Sequence, residues 1–158
     1  MNPANCISIK NGRVIDLANS VDTIIDLHIA DGKILNLGAT PEGFQPDLTI
    51  DASGMVVCPG LVDLSARLRE PGFENKATLQ SETQAAVHGG ITTLCCPPDT
   101  DPVIDTAAMA TLVRKRAQHI GNARVLPVGA LTKNLEGEQL SEMATLRKAG
   151  CVALGNAD

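Results

Sequence analysis

The sequence predicts an α/β chain, with a small β-rich, sandwich-like domain over residues 1–55 and the N-terminal part of a TIM-type (β/α)8 barrel over residues 56–158. Three observations carry this. From Cys6 to about Val57, apolar and polar residues alternate around Asn-Gly and Asp-Gly pairs, the period of half-buried strands. After Val57 the rhythm changes to apolar strand, loop and helix, repeated at roughly 30 residues, which makes βαβ units and a parallel sheet. Finally, the 158 residues stop after the fourth strand of this second kind, whereas an eight-stranded barrel takes ~250 residues. Four strands do not close such a barrel. The chain is therefore expected to be part of a longer polypeptide, a small open α/β sheet being the other possibility.

Each element has its own signal. "CISIKNGRVIDL" alternates around Asn11-Gly12, and "TIIDLHIADGKILNLG" holds Asp31-Gly32 between alternating runs, a strong hairpin signature. A Pro- and Gly-containing loop over residues 39–47 leads into "LTIDASGMVV". The unit reads as antiparallel. Parallel strands buried on both faces are apolar almost throughout, and four such runs follow: Val56 to Leu64, Ile91 to Cys96, Arg124 to Ala130, and Cys151 to Leu154. Between them, a helix is expected from about Thr78 to His88 with Gly89 as its stop. A second starts near Asp105 or Thr106, with Met109, Leu112, Val113 and Ile120 on one face, and stops at Gly121. A third spans about Glu138 to Ala149 before Gly150.

Composition narrows the function. With 44% hydrophobic and 20% charged residues the chain can bury a core. Phe44 and Phe73 are its only Phe, Trp or Tyr residues, so the core must be aliphatic and no stacking surface for bases exists. A net charge of −5 argues against nucleic-acid or anionic-membrane partners. The short run Arg114-Lys115-Arg116 suits the second half of a helix, facing solvent. No leader or membrane-spanning run is visible, so a cytoplasmic address is expected. Cys6, Cys58, Cys95, Cys96 and Cys151 lack C-x-x-C spacing and read as small buried hydrophobes. His28, His88 and His119 are scattered, and surface or capping roles are expected of them.

The polar residues of "CPGLVDLSARLREPG" are concentrated where the first barrel strand ends. The period of two places Asp63, Ser65 and Arg67 on one face, which at the C-terminal rim of a barrel looks into the mouth. This stretch resembles the first-strand signature of the cyclic amidohydrolases, dihydroorotases in particular, whose pattern is Pro-Gly-x-x-Asp-x-His-x-His-x-Arg-x-Pro-Gly. "GGITTLCCPPDTDPVID" is similar to the family's second-strand block ending in Asn-Thr-x-Pro, and "LPVGALTKNLEGEQLSEMATLRKAGCVAL" to its third-strand block with Gly-Ala-x-Thr. The resemblance covers the chain after Met55. The β-rich start looks like the first part of the small domain these enzymes carry.

The departures bear on chemistry. The resemblance implies zinc held by the His-x-His pair, but Ser65 and Arg67 stand there. A serine hydroxyl is a poor zinc ligand and a guanidinium offers no lone pair. Where the family has a metal-bridging Asp, this chain has Asn156, unless Asp158 compensates through a shifted alignment. Arg69 matches the arginine that grips the substrate carboxylate, although it can equally brace the Pro71-Gly72 turn. Asp99 replaces the family Asn; two like charges at ~4 Å repel by about 4 kcal/mol at an effective dielectric of ~20. Asp99 therefore opposes an anionic ligand unless it is protonated or paired with Arg67 or Arg69. Arg67 itself is expected to pair internally with Asp63 or Asp158.

The resemblance implies a noncatalytic dihydroorotase-like subunit, without metal, catalytic residues or cofactor, that associates with the catalytic subunit of aspartate carbamoyltransferase and with copies of itself. The alternatives are two. One is an active, zinc-dependent cyclic amidohydrolase with an unusual site, built from ligands beyond residue 158 or from Asp63 and Asp158. The other is a sensor that uses Arg69 to hold an anionic pyrimidine precursor without turnover.

Overall fold

The computed structural model describes residues 5–157 and divides into two compact units, residues 1–59 and 60–158. The division falls at Pro59, four residues beyond the expected one. Val56–Val57 (β7) explains the difference: it pairs in parallel with Arg13–Asp16 (β2) of the first unit and does not continue into the barrel strand.

The first unit has two sheets. In one, Lys33–Leu37 (β5), Leu27–Ala30 (β4), Cys6–Lys10 (β1) and Leu48–Asp51 (β6) lie side by side in that order; in the other, β2 lies between Val21–Ile24 (β3) and β7. The unit is not purely antiparallel as expected, because β1–β6 and β2–β7 are parallel pairs. Asp31-Gly32 does close a hairpin, with Ala30 facing Lys33. Asn11-Gly12 does not. It passes the chain between sheets, and a Cβ at residue 12 would fall 2.7 Å from Val57 Cγ2 and 3.0 Å from Ala52 Cβ.

His28, expected at the surface, is fully buried on β4. Its Nε2–H donates to the Gly38 carbonyl at 3.1 Å, which leaves Nδ1 to accept from the Ser8 hydroxyl at 2.9 Å, and Phe44 meets the ring edge-on at 5.2 Å. With both ring nitrogens satisfied the imidazole behaves as a core residue. His88 and His119 are exposed.

The second unit is a four-stranded parallel sheet in the order Ala153–Gly155 (β11), Arg124–Ala130 (β10), Ile91–Cys96 (β9), Leu61–Asp63 (β8). The helices Leu79–His88 (α1), Ala107–Ile120 (α2) and Met143–Ala149 (α3) connect successive strands. Their ends follow the sequence signals. Thr78 and Thr106 accept from the Ser81 and Met109 amides as N-caps, and Gly121 and Gly150 take the left-handed conformation that a helix stop favours.

Two helix expectations are revised. The buried stripe of α2 is Ala110, Val113 and Ala117, small residues that let the helix sit close to the sheet, whereas Leu112 is largely exposed. Helix α3 begins five residues late because residues 131–141 fold back on themselves, through Lys133 N–H to the Gln139 carbonyl (2.8 Å) and Ser141 N–H to the Leu131 carbonyl (3.0 Å).

The core is aliphatic as composition demands, built on Leu68, Leu79, Leu94, Ile104, Val113 and Leu146. The edge strands carry exposed apolar side chains, Leu61 and Val62 on β8 and Leu154 on β11. Cys95, Cys96 and Cys151 are buried, but Cys6 is only half-buried and Cys58 is exposed, against expectation. Burial, and then the nearby Asp99 and Cys95, push the Cys96 thiol up to about 12. Since the thiolate is the nucleophile, brief iodoacetamide treatment of the folded chain at pH 8 is expected to alkylate Cys58 and spare Cys96, as read by peptide mass mapping.

Candidate functional site

The C-terminal ends of the parallel strands gather most of the singled-out residues. Strand β8 ends at Asp63, whose Oδ1 accepts the Ser65 amide at 2.9 Å and turns the chain. Ala66 N–H then donates to the Cys95 carbonyl at 2.9 Å, keeping the loop against β9. Ser65, Arg67 and Asn156 line one cavity of about 300 Å³ together with Leu64, Pro97 and Pro98. The strict alternation expected for residues 63–67 is broken by the turn, so Leu64 shares the cavity with its neighbours.

Arg67 Nε donates to Asp99 Oδ2 at 2.7 Å, with the two side chains 42% and 27% exposed. Among the described residues the ion pair of Arg67 is thus with Asp99, across β8 and β9, and not with Asp63. Asp158, the other expected partner and possible ligand, lies outside the described residues. A pair this accessible adds at most about 1 kcal/mol to stability. Its consequence is electrostatic, because the carboxylate that would repel an anion at this rim already faces a guanidinium.

Asn156 is held by Thr132. Its Oδ1 accepts from the Thr132 amide at 3.2 Å and its Nδ2 donates to Thr132 Oγ1 at 2.9 Å, while the Gly137 amide donates to the same hydroxyl at 3.0 Å. Both ends of the amide are therefore committed across β10 and β11.

Arg69 is half-buried, with a left-handed backbone (φ 63°), and lines a narrow crevice beside Arg67, Asp99 and Thr100. Its carbonyl accepts the Phe73 amide at 2.8 Å, so its backbone closes the Pro71-Gly72 turn. Among the described residues no carboxylate lies within ion-pair distance of its guanidinium.

Sequence reasoning missed Glu70, whose carboxylate is buried beneath this loop, 2% exposed. Its Oε2 accepts the Leu79 amide at 2.6 Å at the start of α1, and its Oε1 pairs with Arg116 Nε from α2. Arg116 therefore does not simply face solvent. Glu70 stands next to a proline in a loop segment, and nothing in its spacing marks it as buried.

These residues do not fit a divalent ion. Zinc takes thiolate, imidazole or carboxylate donors, and the positions in question hold a hydroxyl, an ion-paired guanidinium and a committed amide. Among the described residues no group of three or more His, Cys, Asp or Glu side chains is placed to hold a metal.

Residues 54–158 match the protein family described as dihydro-orotase-like. The chain belongs to that family. Dihydroorotase-like proteins from Pseudomonas putida and Pseudomonas aeruginosa are each 55% identical to it over 150 residues, covering 95% of this chain and 35% and 36% of theirs. A dihydroorotase from Citrifermentans bemidjiense is 44% identical over 151 residues, covering 94% of this chain and 35% of its own. The chain thus spans about a third of the length of these relatives. Among solved structures, the L-hydantoinase (dihydropyrimidinase) from Arthrobacter aurescens superposes with a TM-score of 0.75 at 28% identity, over 94% of this chain and 32% of that one. The β-rich domain followed by a parallel half-barrel is therefore the fold of the N-terminal region of a cyclic amidohydrolase. No helix among the described residues is long and apolar enough to cross a membrane.

Proposed function

We propose that this dihydroorotase-like chain belongs to a noncatalytic, metal-free scaffold that supports the assembly or activity of aspartate carbamoyltransferase in pyrimidine biosynthesis. The observation that carries the reading is the Arg67–Asp99 ion pair, which puts a permanent cation where the family pattern has a metal-binding imidazole. Ring opening of a cyclic amide needs a polarised carbonyl and a hydroxide, which zinc supplies by lowering the pKa of its bound water to about 7. Ser65, Arg67 and Asn156 supply neither. The relatives named dihydroorotase-like are also more similar to this chain than the Citrifermentans dihydroorotase is, 55% against 44%.

The test has two arms. Co-expressed with the aspartate carbamoyltransferase catalytic subunit from the same source, the protein is expected to co-elute with it on size exclusion, and separate elution would end the scaffold reading. Purified protein is expected to hold zinc well below one ion per chain by elemental analysis and to leave dihydroorotate unhydrolysed. Stoichiometric zinc with activity lost on chelation would establish the zinc-dependent hydrolase instead.

A second reading is favoured by Arg69, which among the described residues lies at the rim without a carboxylate partner while Asp99 faces Arg67. In it the chain binds an anionic pyrimidine precursor through the Arg69 guanidinium, whose fork suits a carboxylate. Calorimetric titration with dihydroorotate and carbamoyl aspartate separates the two, since absence of heat with both removes the sensor.

A further inference from the structure

At the opposite end of the parallel sheet, where β10 begins, lies a second cavity of about 250 Å³ whose lining includes Arg114 and Gln118 of α2, Arg124 of β10 and Gly150 at the end of α3. The chain carries 18 acidic and 13 basic residues, yet among the described residues no Asp or Glu lines this cavity and two arginines do. Among the described residues neither guanidinium has a carboxylate within ion-pair distance. Among the described residues Arg114 Nε is moreover buried without a hydrogen-bond partner. Buried donors in native proteins are nearly always satisfied, and one that is not calls for an acceptor.

The position of Arg114 has a structural cause. Gly150, with φ 105°, lies against its side chain, and a Cβ there would fall 3.3 Å from both Cδ and Nη1. The guanidinium thus packs on a bare backbone turn. That turn's own amide donates to the Arg147 and Leu146 carbonyls at the end of α3.

We propose that this cavity is an oxyanion site, in which Arg114 and Arg124 grip a phosphate group or a carboxylate and Gln118 adds a neutral donor. A guanidinium fork matches both anions with paired, charge-assisted hydrogen bonds. A water's share of liquid volume is ~30 Å³, so the space admits an anion of several heavy atoms. The site is separate from the Ser65–Arg67 rim, and it stands or falls independently of the scaffold reading.

The test is a titration of the 158-residue chain with inorganic phosphate and, separately, with malonate, at constant ionic strength set with sodium chloride, followed by amide NMR shifts. Saturable shifts confined to residues around Arg114, Arg124 and Gly150 are expected with at least one anion, and the tighter of the two identifies the ligand's headgroup. Arg124→Gln, at an exposed position, is expected to weaken binding at least tenfold, and Arg114→Met likewise, whereas Arg147→Gln on α3 leaves it unchanged. No saturable shift with either anion would overturn the proposal. So would Arg124→Gln and Arg114→Met variants that keep native spectra and bind as well as the parent.

Discussion

Replacing Gly72 by alanine is expected to destabilise the second unit by about 3 kcal/mol, combining overpacking of ~1–3 kcal/mol with a left-handed backbone penalty of ~1–2 kcal/mol. Gly72 has φ 100°, and a Cβ there would lie 2.3 Å from the Asp101 carbonyl oxygen and 2.8 Å from Asp101 Cα. These are backbone atoms, so no side chain can swing aside. The Asp101 amide donates to the Pro71 carbonyl at 3.1 Å in the same place, joining the loop after β8 to the loop after β9. Arg69 and Asp99 sit on those two loops, and the close approach at Gly72 is what lets them share a crevice. Urea unfolding followed by circular dichroism checks this: the midpoint should fall with the slope unchanged, whereas Gly60→Ser at the base of β8 is no proper control, because a Cβ there also clashes, 2.1 Å from Thr92 Oγ1. Gly137→Ala, in the same unit with positive φ but open space around it, isolates the conformational part.

The same loops show what the sequence can and cannot disclose. Local chemistry was legible: the Asp31-Gly32 hairpin, the Thr78 and Thr106 N-caps, the glycine stops and the four parallel strands all arise from residues within a few positions of each other. Asn11-Gly12 misled because a turn signal fixes only the local backbone, and the flanking strands found partners in different sheets. The face of α2 is only partly legible for a related reason. Val113 and Ile120 do meet the core, but close packing on a sheet favours small side chains, so Ala110 and Ala117 are buried and Leu112 is not.

At the rim, Ser65, Arg67 and Asn156 stand out only against the pattern of the family the chain resembles, and the sequence leaves Asp63, Asp99 and Asp158 all open as partners of Arg67. Asp63 is nearer in sequence, yet its carboxylate is taken by the Ser65 amide, a local bond that the alternating pattern does not reveal. Asp99 is 32 positions away and reaches Arg67 only because β8 and β9 are neighbours. Asn156 and Thr132, 24 positions apart, meet through the same logic just past the ends of β11 and β10.

Arg116→Met is the second substitution expected to have a large effect, about 2–4 kcal/mol of lost stability, although its side chain is 56% exposed. An exposed arginine is ordinarily worth little. Here its partner Glu70 is 2% exposed, and removing the cation leaves a buried carboxylate with the Leu79 amide as its remaining donor among the described residues. Breaking a buried pair from one side costs far more than the pair contributes, because the surviving charge stays desolvated. The double variant Arg116→Met/Glu70→Met removes both charges, and it should recover much of the loss if burial of an uncompensated carboxylate is the cause. A double variant no more stable than Arg116→Met alone would show that losing the Leu79 amide's bond to Glu70 offsets whatever is gained by removing the buried carboxylate. The cycle matters for the rim as well, since Glu70 directly follows Arg69: a variant that folds but loses the Glu70 anchor should free the Arg69 loop while leaving the Arg67–Asp99 pair, on neighbouring strand ends, in place.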